Sequence, residues 1–128
     1  MFTLEQINDV HDRLGNQETL ADYLRALKAI GVVRSDSFIV DGHSEHFGKD
    51  GHKVITAAAH ERLTIAGTGD RQGLHTQLGL HSEGKTSYVE MSKGLADSGV
   101  EKWSFDTNLL TITYFDRAGN ELLTEAIT

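Results

Sequence analysis

Histidine and carboxylate side chains gather between positions 41 and 52, where Asp41, His43, Glu45, His46 and His52 fall together. Imidazole nitrogens and carboxylate oxygens are ligands for first-row metals, so His43, Glu45, His46 and His52 are the residues to consider for Zn²⁺ or Fe²⁺. Strand geometry restrains that reading. Side chains alternate along an extended chain, so Asp41, His43 and Glu45 share one face while His46 points to the other. His43-x-x-His46 chelates only if a bulge or turn intervenes, for which Gly42 offers a place. The helical His-Glu-x-x-His pattern is missing, because His60-Glu61 is followed by Thr64 where the second His belongs. A solvated strand face accounts for the same residues with no metal at all.

A second candidate is Gly67-Thr68-Gly69-x-x-x-Gly73, which follows an apolar run and opens a helical pattern. Free backbone N–H groups at such a position can hold an anion, making Gly67, Gly69 and Gly73 candidate anion contacts. Asp70 competes, since its own carboxylate can cap the helix, and neither a βαβ context nor a Gly-Lys-Ser/Thr sequence surrounds the loop. His81, Ser82 and Glu83 hold a nucleophile beside a base, but no Gly-x-Ser-x-Gly elbow exists and adjacency in sequence makes no triad. Trp103, Phe105, Tyr114 and Phe115 could form an aromatic platform. Alternation assigns them to core and cross-strand pairs instead. No catalytic residue is assigned.

The elements that must position these residues begin with a helix from Thr3, whose hydroxyl and Gln6 form a capping box ahead of Leu4, Ile7, Val10 and Leu14. A second helix runs from Thr19 to Ile30, with Leu20, Tyr23, Leu24 and Leu27 on one face and Gly31 as its stop. Ser37 to Val40, Lys53 to Ala57 and Leu63 to Ala66 read as strands. A diluted helix spans Asp70 to His81, and a stronger one starts at Ser87 with Glu90 as its box partner. Lys102 to Phe105, Leu109 to Phe115 and Glu121 to Ile127 complete the chain as strands. The order is ααβββ followed by ααβββ.

That order invites a search for internal repetition. An offset of 68 residues pairs Leu27 with Leu95, Gly31-Val32 with Gly99-Val100, Phe47 with Phe115, Gly51 with Gly119, Thr56 with Thr124 and Ala58 with Ala126. These seven identities in 41 aligned positions exceed the about two or three that residue usage supplies. Arg34/Lys102 and Lys49/Arg117 are conservative matches between them. The register breaks at the first strand, where Phe38-Ile39-Val40 meets Trp103-Ser104-Phe105 only after a shift. Any helix ending in Gly before a strand would align in part, so duplication into halves 1–60 and 69–128 stands beside coincidence.

The chain of 128 residues suits one domain. No cysteine is present, which removes disulfides, thiol nucleophiles and cysteine-based metal sites. A net charge of −7 with scattered Lys and Arg argues against nucleic acid as a partner. No run is long and apolar enough to span a membrane, and Met1-Phe2-Thr3-Leu4-Glu5 is no basic leader, so a cytoplasmic setting is expected.

His81-Ser82-Glu83-Gly84-Lys85-Thr86-Ser87-Tyr88, Leu95-Ala96-Asp97-Ser98-Gly99-Val100-Glu101-Lys102-Trp103 and Thr113-Tyr114-Phe115-Asp116-Arg117-Ala118-Gly119-Asn120-Glu121 together resemble the YbcV-like family of small bacterial and prophage proteins of unknown function. Some members carry the label phage envelope protein. The resemblance covers the last fifty or so residues well and the first half loosely. It implies a compact α+β domain and prophage ancestry, and brings no activity or catalytic residue.

The expected fold is therefore α+β, with two helical pairs on one face of a mainly antiparallel sheet. The leading functional expectation is a non-enzymatic binding or interaction domain without a cofactor, self-associating as a homodimer through free strand edges at Leu109 to Phe115 or Glu121 to Ile127. A small metal-binding protein or enzyme built on the His/Glu cluster is the alternative, and a phage structural protein is a third.

Overall fold

Thr3 accepts a hydrogen bond from the Gln6 N–H while the Gln6 amide returns one to the Thr3 N–H, so α1 (Leu4–Leu14) starts from a closed capping box. Residues 1–127 are described by the structure, a computed structural model. A 3-10 turn, Gln17–Thr19, leads into α2 (Leu20–Ala29), which buries Tyr23, Leu24 and Leu27. Strands β1 (Arg34–Phe38), β2 (Ser44–Phe47) and β3 (Lys53–Ile55) follow. After a long connection come α3 (Arg71–Ser82) and α4 (Tyr88–Asp97), then β4 (Val100–Asp106), β5 (Thr111–Asp116) and β6 (Glu121–Ala126). Ser87 and Glu90 close a second capping box at the head of α4.

The six strands make one antiparallel sheet in the order β3-β2-β1-β4-β5-β6. Each half of the chain supplies a three-strand meander, and β1 and β4 join them. The offset of 68 read from the sequence reappears in the backbone. It carries the bounds of α2 onto those of α4, places β1, β2 and β3 inside β4, β5 and β6, and superposes the β1–β2 register on that of β4 and β5. Positive φ recurs at matched positions as well, at Gly31 and Gly99, Gly51 and Gly119, and Gly42 and Leu110.

All four helices contribute to one core, in which Ile7, Val10, Leu24, Leu27, Leu74 and Leu95 meet Phe105, Ile112 and Tyr114 of the sheet. Ser35 and His46 lie on that same covered face and are buried with it. Among the described residues, no helix packs on the opposite face. Two-layer packing of this kind is the α+β architecture expected from the hydrophobic pattern.

The strands differ from the sequence reading in three places. Leu63 to Ala66 is not a strand. The Leu63 N–H bonds the Val40 carbonyl and the Ala66 N–H bonds that of Ala96, so this apolar run threads the core as a connection, with Ile65 buried. Short apolar runs do not distinguish a strand from a buried connection by periodicity. Ser44–Phe47 is a strand despite its polar content, because β1 and β3 bond it on both sides. β1 begins at Arg34 and ends at Phe38, ahead of a turn at Gly42 (φ 78°), and with those bounds the offset of 68 needs no shift at the first strand. A further correction concerns edges. β5 is paired on both sides, and among the described residues the free edges are those of β3 and β6.

Candidate functional site

Alternation from the observed registers decides what the helix-free face displays. Arg34, Asp36 and Phe38 of β1 stand beside Glu45 and Phe47 of β2, and beside Lys102, Ser104 and Asp106 of β4. Thr111, Thr113 and Phe115 continue the rows on β5, and Thr124 on β6.

Asp36 is the centre of this face. Its side chain is only 4% exposed, yet it is satisfied on each side. Ser104 Oγ donates to Oδ1 at 2.6 Å, Lys102 Nζ lies 3.2 Å from Oδ2, and Arg34 Nε lies 3.5 Å from Oδ1. A buried carboxylate persists only with such compensation. Asp36 and Ser104 are opposite one another in the sheet and also equivalent under the 68-residue offset. Arg34 and Lys102 are equivalent too, so two cations flank the centre from the two halves. Each lies over the matching ring: the Arg34 guanidinium 4.2 Å from the Phe47 centroid, Lys102 Nζ 5.5 Å from that of Phe115.

The two halves differ beside that centre. In the first, His43 stacks on Phe38 with ring centroids 4.6 Å apart and planes 2° from parallel. Its Nδ1 is 2.5 Å from Asp41 Oδ1 and its Nε2 is 3.4 Å from Glu45 Oε2. Lys53 extends the chain to Glu45 at 3.5 Å. Burial pushes the Asp41 carboxyl up, but the hydrogen bonds from His43 outweigh it and hold the group below the usual carboxylate range. In the second half Thr111 and Thr113 take the places of His43 and Glu45. The smaller side chains leave a shallow groove of about 370 Å³, whose lining includes Arg34, Ser104, Asp106, Thr113, Phe115 and Glu121.

The histidines proposed from sequence as metal ligands do not converge. His43 and Glu45 share the open face. His46 lies on the covered face, 3% exposed, with Nδ1 2.6 Å from Ser35 Oγ. Burial, reinforced by the nearby His11, pulls its pKa down to about 4, while Asp36 opposes that shift. His52 donates from Nε2 to the Phe2 carbonyl at 2.8 Å and meets the Phe2 ring edge-on. Among the described residues, no group of three or more His, Cys, Asp or Glu side chains is placed to share one metal ion.

At the glycine loop, Asp70 caps α3 by accepting from the Gly73 N–H at 3.0 Å, where an anion would have to sit. Gly69 and Gly73 face close neighbours: an added Cβ would come 2.7 Å from Leu122 at Gly69 and 2.6 Å from Ser98 Oγ at Gly73. Gly67 meets nothing within 4 Å. Among the aromatics, Phe105 and Tyr114 are core residues, whereas Phe115 belongs to the open face. Spacing alone does not single out Arg34, Asp36, Lys102 or Ser104. The signal that carries them is the repeat offset, which matches Arg34 with Lys102 and Phe47 with Phe115.

These features define an α+β domain with one sheet face covered by helices and the other bare, charged and aromatic. The chain belongs to the family described as Protein of unknown function (DUF1398), whose model matches residues 8–126. No curated protein matches it. The family assigns no activity to the face.

Proposed function

We propose that this protein is a non-catalytic binding domain, built from two copies of an ααβββ unit, whose recognition surface is the helix-free face of the sheet. The observation that carries the reading is the composition of that face. An antiparallel sheet open to water on one side ordinarily alternates apolar inward and polar outward. Here Phe38, Phe47 and Phe115 face outward beside Arg34 and Lys102, and aromatic rings with arginine are the residues enriched where proteins bind partners. Asp36 holds the two cations in place, which lowers the ordering cost of binding.

Self-association through the free edge of β6 belongs to the same reading. Light scattering at micromolar concentration that finds a dimer supports it, and a 14.1 kDa species alone counts against it. A cytoplasmic setting and descent from a prophage fit the composition and the resemblance without altering the chemistry. The reading is tested by ¹⁵N–¹H spectra recorded with a mixed set of charged and neutral fragments. Shifts that cluster on β1, β4 and β5 support it. Shifts confined to the helices refute it.

A further inference from the structure

We infer that the outer edge of β6 pairs antiparallel with the β6 of a second copy, about a two-fold axis at Thr124, and that Arg71 restrains this pairing. The inference rests on the reading that this edge self-associates, and it names the register of the contact and the residue that regulates it.

Alternation decides what the edge offers. The Ile127 N–H bonds the Leu110 carbonyl, and Glu125 and Leu123 lie opposite Ile112 and Tyr114. The backbone groups of Leu122, Thr124 and Ala126 therefore point away from β5. Those of Thr124 and Ala126 bond no partner among the described residues, and Thr124, Glu125 and Ala126 are all exposed. An unpaired edge of six residues without a lysine is a template for another strand. β3, the other free edge, is three residues long and carries Lys53, and both features blunt such pairing.

Charge selects the register. A second copy brings the same two acids, Glu121 and Glu125. An axis at Thr124 sets Glu121 of each copy opposite Ile127 of the other, and Glu125 opposite Leu123. Moving the axis to Leu123 sets Glu121 against Glu125, and moving it to Glu125 sets that residue against itself. Like charges directly opposite one another destabilise a strand pair, so the register at Thr124 is favoured. The chain already joins like units in this manner. β1 and β4 pair symmetrically about the equivalent residues Asp36 and Ser104, with Arg34 on Asp106 and Phe38 on Lys102.

Arg71, at the head of α3, lies across this edge. Its Nε donates to the Leu122 carbonyl and its Nη2 to the Glu121 carbonyl, both at 3.1 Å. In the Thr124 register three facing pairs exchange two bonds each, six in all. Leu122 of each copy faces Ala126 of the other, so each Arg71 holds a carbonyl that an Ala126 N–H needs. Two of the six bonds are closed until the arginines swing away. Arg71 is exposed, so it can leave without disturbing the core. Its equivalent under the 68-residue offset is Thr3, whose side chain is spent on the cap of α1, so the restraint belongs to the second half alone.

The test is sedimentation velocity of the full chain, its Arg71→Met and its Arg71→Gln variants, from about 10 to 500 µM, a range suited to a weak dimer. A reversible dimer is expected in the wild type and one about 10-fold tighter in both variants, as the two freed carbonyls pair. The chain has no cysteine, so one introduced thiol reports on one position. Thr124→Cys is expected to cross-link to its own copy with dibromobimane. Ala126→Cys is not, because its two thiols lie about 14 Å apart along the strands. A dimer of unchanged strength in both Arg71 variants overturns the restraint, and cross-linking at 126 in place of 124 overturns the register. In either case self-association stands. A monomer in every sample removes the reading and the inference together.

Discussion

Acidification should weaken this fold in part through His46. The imidazole is 3% exposed between the sheet and the helices, and it hydrogen-bonds Ser35 Oγ at 2.6 Å. Its pKa in the folded chain falls from 6.5 to about 4, because burial disfavours the imidazolium and His11 repels it. The unfolded chain therefore takes up the proton first. The stability due to neutral His46 is complete above pH 6.5 and is lost as pH falls towards 4. A gap of this size corresponds to about 3 kcal/mol in full, with about 1 kcal/mol gone at pH 5.5 and roughly 2–3 kcal/mol at pH 4.5. His46→Gln keeps a polar partner for Ser35 and removes the titration. The assay is urea unfolding of both proteins at pH 7.5, 6.5, 5.5 and 4.5, reading the difference between them so that carboxylate titration cancels. The variant should be less stable at pH 7.5 by about 1 kcal/mol, the worth of an altered buried hydrogen bond. The difference should shrink and reverse on acidification. A difference that stays flat to within about 0.5 kcal/mol across the range would refute the argument, since that is the resolution expected of such comparisons.

Other expectations concern the repeat and its centre. Gly99→Ala should cost more than Gly31→Ala although both sit at positive φ. At Gly99 a Cβ would meet the Thr68 carbonyl at 2.3 Å, whereas at Gly31 the nearest atom is 3.7 Å away. The strained backbone alone accounts for about 1 kcal/mol at each, and the clash should add at least as much again at Gly99, measured by urea midpoint. Lys102→Met should destabilise by about 2–3 kcal/mol by leaving Asp36 under-compensated, and adding Asp36→Asn should recover part of that in a double-mutant cycle. Ser87→Ala should remove the α4 capping box for about 1 kcal/mol, seen as a lower melting temperature.

The helices were legible because their signals are local. Thr3 with Gln6, and Ser87 with Glu90, announce their caps within three residues, and a 3.6-residue period follows each. Strands were legible only where their side chains are apolar or their turns carry glycine, as at Asp116 to Asn120. Ser44–Phe47 carries no apolar pattern of its own, because its strand character comes from partners on both sides rather than from its residues. The His cluster was legible as composition but not as geometry, since alternation sends His46 to the core and a contact with Phe2 occupies His52. The centre of the open face needs Asp36 to meet Lys102 and Ser104, residues 66 and 68 positions away, and no local pattern reports such a pairing. The offset of 68, which matches Arg34 with Lys102, is its trace in the sequence.

The most direct test of the binding face is a crystal structure of the chain soaked with whichever fragment shifts its amide spectrum most. The account predicts density over the helix-free sheet, within reach of Arg34, Ser104 and Phe115. Density only on the helical layer, or only at His52, would contradict it.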